Sequence, residues 1–417
     1  MIKRIPGTKD VLPSEIDKWH FIENIVHKIF HKYNYGEIRT PIFEETPLFA
    51  RGIGEETDIV SKEMYTFNDR GGTSVTLKPE MTAAVVRAFI EHNFDSKQSL
   101  NKLYYISPMF RQERPQAGRL RQFHQFGAEV IGSNSPLLDA EIIIIAYRIL
   151  SSLGLKAILL KINTLGKPLE REKFKNALKE YLYPHFEKLS DDSKKRFSGN
   201  ILRIFDSKDA SDVKIMSSAP NIQEYLSESG IAHFEKVRSV LDKASVPFEV
   251  EPKLVRGLDY YTDTTFEILS GKVGSQNALC GGGRYDNLIE TLGGKNTPGV
   301  GFAAGIERII LALDNENALK LTPESLDYFI IRLNDDSANA FSVAQHLRDR
   351  GFSVELDYLD RSVKAQMREA NKLNAEKVVF IGGEEEKDGL LTLKFMKTGE
   401  QVSIKPEMIS EYKFPAD

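Results

Sequence analysis

The residues best suited to chemistry lie between Leu103 and Ile131. Here LYYISPMFRQE and RQFHQFGAEVIG flank a polar tip, RPQAGR, that contains Pro115 and Gly118. The pattern predicts a long antiparallel hairpin. Strand side chains alternate faces, so Arg121, Phe123, Gln125 and Glu129 share one face and Phe126, Ala128 and Val130 the other. On the outgoing strand Arg111 and Glu113 have one parity, and Ile106 and Phe110 have the other. One face thus gathers arginine, carboxylate, amide and an aromatic ring. That set suits a planar ligand bearing phosphate, because arginine grips phosphate bidentately and a ring stacks on a base. The plain alternative is a polar, solvent-facing strand with its arginines in salt bridges. Arg111, Arg114, Arg119 and Arg121 crowd the tip, a composition compatible with a phosphate backbone or with simple solvation.

Other segments carry weaker signals. GVGFAAGIERIILALD predicts a helix from Gly301, with Phe302, Ile306, Ile309, Ile310 and Leu313 as its core face. Gly301, Ala304, Gly305 and Arg308 form a second stripe, which would lay Arg308 over a ligand on the sheet. LVRGLDYY reads as a strand that places Arg256 and Tyr260 on one face and Tyr261 on the other, unless a twist or bulge at Gly257 changes that parity. GGGR at 281–284 lacks the Gly-Lys-Ser/Thr of a phosphate-binding P-loop and reads as a tight turn or a close backbone approach. His27 and His31 stand four apart on a helix, without the glutamate or third ligand of a metal site. Cys280, the single cysteine, reads as a small packed residue.

The elements that must hold these residues follow from periodicity. Ser14 to Tyr33 predicts an amphipathic helix through Trp19, Ile22, Ile25, Val26 and Ile29. Gly71-Gly72 turns a hairpin between Met64–Phe67 and Val75–Leu77. PEMTAAVVRAFIEH starts a helix near Glu80–Thr82, and DAEIIIIAYRILSSLGL is a buried helix that ends at Gly154. Residues 166–245 are rich in Lys, Glu, Asp and Ser and read as a helical, solvated insertion. Near Asn315 to Leu326 the chain becomes linker-like. Beyond it, strand and helix alternate in DYFIIRL, AFSVAQHLRDRGF, SVELDY, VKAQMREANKLNA and EKVVFIGG, which predicts a small α/β unit with a partly parallel sheet.

Composition limits the function class. The 417 residues carry 56 Lys+Arg and 60 Asp+Glu, a formal net charge of −4, so any nucleic-acid contact must use local arginine clusters. A single cysteine excludes an internal disulfide framework and a multi-cysteine metal cage. No apolar run approaches the ~20 residues of a membrane helix. MIKRIPGTKDVLP has no apolar core of a secretory signal, and a cytoplasmic location is expected.

Taken in order, these segments resemble the histidine–tRNA ligase family of class II aminoacyl-tRNA synthetases. TPIFEET is similar to the motif 1 region, with Pro41 at its dimer-interface position. FRQERPQAGRLRQFHQFGAEVIG resembles motif 2, and GVGFAAGIERIILAL resembles motif 3. LVRGLDYY and GGGRYDNLI resemble the two histidine-specific signatures. The resemblance implies an α+β fold. Residues 1–320 would form a class II catalytic domain, an antiparallel six-stranded sheet flanked by helices and interrupted by the helical insertion at about 166–245. Residues 326–410 would form an α/β anticodon-binding domain. It also implies a homodimer, with tRNA(His), L-histidine and ATP as substrates and Mg²⁺ accompanying ATP, and no membrane partner.

The same resemblance implies roles. Arg256 and Arg111 would be catalytic, at the ATP α-phosphate. Glu80, Met81, Thr82, Arg111, Gln125, Glu129, Arg256, Tyr260, Tyr261 and Tyr285 would form the histidine site. Arg111, Glu113, Phe123 and Arg308 would bind ATP, with Phe123 stacked on adenine. Gln116 and Arg121 would read the acceptor end of the tRNA. No dedicated metal site is implied. Met81 departs from a frequent family glycine, and Lys78 stands where arginine is frequent. A regulatory paralogue that binds histidine without charging tRNA is the competing reading. Such paralogues typically lack the C-terminal domain and lose parts of the ATP or histidine signatures, whereas residues 326–410, Arg111, Arg256 and Arg308 are all present here.

Overall fold

The computed structural model describes residues 2–55, 57–271, 277–319, 321, 325–333, 337–384 and 388–409. The linker expected near 315–326 and the end of the second unit at 410 lie partly outside them. The chain divides into two compact units, Met1–Lys320 and Leu321–Asp417.

The first unit opens with helix α1 (Ile16–Lys32), strands β1 (Gly36–Glu37) and β2 (Phe43–Glu45), and helix α2 (Thr46–Ile53). Strands β3 (Tyr65–Asn68) and β4 (Ser74–Leu77) then form the Gly71-Gly72 hairpin, followed by helices α3 (Thr82–Glu91) and α4 (Phe94–Lys97). The long hairpin is β5 (Asn101–Phe110) and β6 (Gln122–Ile131), then helix α5 (Pro136–Ser152) and strand β7 (Ile158–Thr164). Helices α6 (Pro168–Leu182), α7 (Asp191–Ser198), α8 (Ala210–Met216) and α9 (Glu228–Lys243) precede strands β8 (Glu249–Val250), β9 (Thr262–Ser270) and β10 (Ala278–Arg284). Helix α10 (Leu288–Thr291), strand β11 (Gly299–Gly305) and helix α11 (Ile306–Asn315) complete the unit.

The main sheet runs β1-β5-β6-β11-β10-β9-β7-β8. Its six central strands are antiparallel throughout. The two-residue edge strands β1 and β8 pair parallel and extend the expected six strands to eight. Alternation sorts the faces. Phe126, Ala128, Val130, Phe266, Ile268, Phe302 and Ala304 pack with apolar residues of α1, α5, α9 and α11 into one core. The opposite face keeps the polar side chains. The composition-based insertion splits in the same way: Phe174 to Ile222 build a separate core, whereas Phe234, Val237 and Leu241 of α9 join the main one.

Three local expectations are corrected. Gly301–Gly305 is strand, not helix: β11 is paired on both sides, with β6 and with β10, and this pairing outweighs the helix-like Gly/Ala spacing. The helix begins only at Ile306. GGGR is strand β10, not a turn, because neighbouring backbone packs where side chains would stand: a Cβ on Gly282 would lie 2.2 Å from the Gly301 carbonyl oxygen. LVRGLDYY is a loop of turns and bends before β9.

The arginine of GGGR is structural. Arg284 is fully buried and donates to Asp139 from Nε and Nη2, both at 2.9 Å, and to the Ser133 and Ser135 carbonyls. Asp139 also lies 2.8 Å from His233 Nε2, which joins α5, α9 and β10.

In the second unit, strands β12 (Tyr328–Arg332), β13 (Val354–Leu356), β14 (Lys377–Ile381), β15 (Leu391–Phe395) and β16 (Gln401–Ile404) alternate with helices α12 (Ser337–Asp349) and α13 (Val363–Lys372). The order is β13-β12-β14-β15-β16, parallel through the first three strands and antiparallel after them. Helix α12 covers one face and α13 the other.

Removing one partner of a buried ion pair leaves an uncompensated charge. Asp139→Ala is therefore expected to destabilise the first unit by about 3–5 kcal/mol. Urea unfolding followed by circular dichroism checks this; an unchanged midpoint contradicts the anchoring role.

Candidate active site

Glu129 projects from β6 toward α3 and the 285 loop and is fully buried. Gly301 stands opposite it on β11, where a Cβ would fall 1.8 Å from Glu129 Oε2. Glycine is thus required at that position by close approach. Thr82 Oγ1 donates to Oε1 at 2.8 Å, Tyr285 Oη donates to Oε2 at 2.6 Å, and Tyr105 Oη lies 3.5 Å from Oε1. These hydroxyls favour the ionised carboxylate, but burial outweighs them and pushes its pKa up to about 8. Glu80 stands at the start of α3, and its two oxygens accept the Thr82 and Ala83 N–H groups at 2.8 Å each. Burial raises its pKa as well. Tyr260 packs 4.7 Å from Tyr261 and edge-on to Tyr285 at 5.9 Å. Both tyrosines therefore serve one pocket although they are sequence neighbours, because the segment is a loop and alternation does not apply.

Met81 is set apart from this group. Its side chain is buried with Val85, Tyr105 and Met109, and its sulfur accepts from Thr40 Oγ1 at 3.5 Å. Lys78 is also buried, with Nζ 3.4 Å from the Thr40 carbonyl and hydroxyl, and desolvation lowers its pKa to about 8.

A cleft lies on the same sheet face, lined by Arg111, Glu113, Phe123, Gln125, Arg256, Glu267 and Arg308 among others. Arg111 donates from Nε to the Pro79 carbonyl at 2.9 Å, and its guanidinium lies 5.4 Å from the Phe123 ring centre. Gln125 Oε1 is buried with no partner among the described residues. Arg256 pairs with Glu267 and lies against strand β10, where a Cβ on Gly281 would come within 2.4 Å of the guanidinium nitrogens. Burial disfavours the Arg256 charge, but Glu267 together with Tyr261, Cys280 and Tyr260 outweighs it and raises the pKa. Arg308, on the first turn of α11, donates to the Gly118 carbonyl at 3.0 Å and to the Ala278 carbonyl at 2.9 Å. It thereby joins the hairpin tip to β10. Its neighbour Glu307 fixes the register by accepting the His124 N–H and facing His124 Nδ1, each at 2.9 Å.

At the tip, Gln116 is exposed and its backbone bridges to Arg119. Arg121 is half-buried; its side chain donates to the Glu113 carbonyl at 3.3 Å and its amide to the Gly7 carbonyl at 2.7 Å. These two residues lie apart from the Glu129 pocket.

Sequence reasoning missed several contributors. Glu267 stands opposite Gly281 across β9 and β10. Tyr105 faces Glu129 from β5, and Arg119 Nε lies 2.7 Å from Glu113. Tyr105 was accessible in principle, since it shares the Glu129 face by alternation. His27 and His31 do lie on α1, and His27 Nδ1 sits 2.8 Å from Tyr104 Oη. Cys280 is buried beside the cleft, and burial pushes its thiol up.

A carboxyl whose folded pKa is raised favours folding fully below its ordinary value and loses that contribution as pH rises through about 8. A protonated-carboxyl infrared band should therefore persist at neutral pH, fade with a midpoint near 8 and be absent in Glu129→Gln. Disappearance of the band with an ordinary carboxylate midpoint, about 4–5, contradicts this.

The geometry can be set beside known proteins. A model of the histidyl-tRNA synthetase family matches residues 7–309, and one of the anticodon binding domain matches residues 327–412. A histidine–tRNA ligase of Caldanaerobacter subterraneus subsp. tengcongensis is 50% identical over 406 residues, covering 97% of each chain. One from Halothermothrix orenii is 48% identical, covering 97% of this chain and 96% of the relative. Among solved structures, apo S. aureus histidyl-tRNA synthetase superposes with a TM-score of 0.84 at 39% identity, covering 99% of each chain. An ATP phosphoribosyltransferase regulatory subunit/histidyl-tRNA synthetase from Bacillus halodurans, at 21% identity and a TM-score of 0.66, shares the fold. With its buried carboxylate pocket beside an arginine-lined cleft, and these matches along its length, the chain belongs to the histidyl-tRNA synthetase family.

Proposed function

We propose that the pocket and cleft activate L-histidine with ATP and that the protein then transfers histidine to the 3′ end of tRNA(His). The observation that carries this is the adjacency of the two on one sheet face: a buried carboxylate ringed by hydroxyls stands on β6 four residues from Gln125, which borders a groove walled by Arg111, Arg256 and Arg308. The pocket suits a ring that bears N–H groups, and the groove suits a nucleoside triphosphate.

In this reading Glu129 and the Tyr260, Tyr261 and Tyr285 hydroxyls receive the imidazole, while Gln125, Glu80 and Thr82 orient the amino group. Met81 shapes the pocket from behind, through its packing. Phe123 stacks on adenine, Glu113 orients its amino group, and Arg308 closes over the nucleotide. The histidine carboxylate oxygen attacks the α-phosphorus in line. An O–P bond forms, the bond to pyrophosphate breaks, and histidyl-adenylate remains. Charge grows on the phosphate oxygens, where Arg111 and Arg256 stabilise it. Mg²⁺ accompanying ATP would neutralise phosphate charge, and Glu267 in the cleft wall would offer it an oxygen ligand. Among the described residues no cluster of three or more His, Cys, Asp or Glu side chains could hold a metal ion. The terminal ribose hydroxyl of tRNA then attacks the adenylate carbonyl, forming the ester and releasing AMP. Gln116 and Arg121 read the acceptor end, and residues 326–410 read the anticodon.

The active form is proposed to be a cytoplasmic homodimer. Phe43 and Phe67 are about half exposed (56% and 50%) on one face of the small β2-β4-β3 sheet, in the motif 1 region. Among the described residues no helix is long and apolar enough to cross a membrane. The regulatory reading is disfavoured by the full-length relatives and by the three cleft arginines.

ATP–pyrophosphate exchange with each of the twenty amino acids tests the activity. Exchange with histidine alone is expected, and no exchange with histidine binding retained would favour the regulatory reading. Arg256→Ala should lower exchange by about 10²-fold or more, as for a lost transition-state donor, with the fold preserved. Activity within about threefold of wild type is too small a loss for such a donor and contradicts the role.

A further inference from the structure

Arg256 borders a second cavity, between the inserted helices and the loop that leads into β9. Arg171, Lys175, Asn200, Arg203, Arg256 and Asp259 supply its polar wall, and it encloses about 190 Å³. Four of these six side chains are cationic and one is acidic. Arg203 pairs with Asp58 through Nη2 at 3.1 Å, and Arg256 pairs with Glu267. Yet Nε of both arginines is buried without a partner among the described residues. Arg171 donates from Nη1 only to a neutral group, the Tyr261 carbonyl. Lys175 meets Glu172 at 3.1 Å on the helix surface. Asp259, the acidic member, accepts from Asn200 Nδ2. Buried N–H donors left open on charged groups are costly, and an oxyanion satisfies several at once.

We propose that this cavity is a phosphate-binding site, distinct from the ATP groove and sharing only Arg256 with it. The inference rests on the charging reaction above, which offers two sources of phosphate. One is the terminal phosphodiester of the tRNA, brought in as its 3′ end reaches the adenylate. The other is pyrophosphate released from ATP. Because Arg256 lies on both walls, a phosphate held here draws on the same guanidinium that faces the α-phosphate. Arg171 also ties the site to the Tyr261 loop, so that occupancy and the histidine pocket share a wall.

The test uses the full-length protein with Lys175→Ala and Arg171→Lys. Three Michaelis constants are read: for tRNA in charging, and for inorganic pyrophosphate and histidine in exchange. Loss of one charge-assisted contact is expected to raise one phosphate constant by about tenfold. A rise for tRNA alone assigns the phosphodiester; a rise for pyrophosphate assigns the leaving group. If Arg171→Lys also raises the histidine constant through Tyr261, Lys175→Ala decides, since Lys175 lies on the cavity's outer helix. Unchanged phosphate constants in Lys175→Ala, or a change for histidine alone in both variants, overturn the site. Failure of wild type to exchange with histidine overturns instead the activity on which it rests.

Discussion

The architecture of the site turns on close backbone approach in the middle of the sheet. Strands β10 and β11 carry glycine at 281, 282, 283, 299 and 301, and a Cβ at any of these would collide with a neighbour. The space so freed is filled by polar groups lying flat on the sheet. Glu129 occupies the space beside Gly301, the Tyr285 ring that beside Gly299, and the Arg256 guanidinium that beside Gly281. Glycine in a strand interior weakens it, so this arrangement costs stability. The cost is borne where six antiparallel strands and a large apolar core on the far face hold the backbone.

Burial then sets the chemistry. Glu129 has hydroxyl donors and, among the described residues, no cation in contact, and its raised pKa follows from that enclosure. Arg256 is partly enclosed, has Glu267 beside it and keeps its charge. A neutralised or proton-sharing carboxyl thus lies beside a cleft walled by fixed positive charges. That polarity matches a substrate with a ring N–H at one end and a phosphate at the other. The Arg284–Asp139–His233 network fixes the end of β10 and therefore the loop that carries Tyr285.

Much of this was legible in the sequence, and the exceptions have physical causes. Period-two alternation placed Gln125 and Glu129 on one face of β6 and Phe126, Ala128 and Val130 on the other, because that strand is long and regular. The same reasoning failed for LVRGLDYY, whose turns remove alternation and bring Tyr260 and Tyr261 to one pocket. Gly301 to Gly305 read as helix because glycine and alanine spacing carries no information about pairing partners, and both partners of β11 are remote in sequence. The glycine run of β10 read equally as a tight turn or a close approach, because strand pairing and the approaching groups are set by tertiary register. Glu267 and Asp139 were overlooked for a related reason: each gains its role from an arginine that only the fold brings near. The insertion, rich in charged residues and serine, looked uniform by composition, yet α9 belongs to the main core through Phe234, Val237 and Leu241.

The central claim is that the buried Glu129 pocket selects its substrate by the ring N–H groups. The most direct measurement is the ratio of kcat/KM in pyrophosphate exchange for histidine over thienylalanine, whose ring is similar in size but has no N–H. Leaving buried polar groups unpaired should make that ratio about 10⁴ or more. A ratio within about tenfold, the scale of a shape difference alone, would contradict the account.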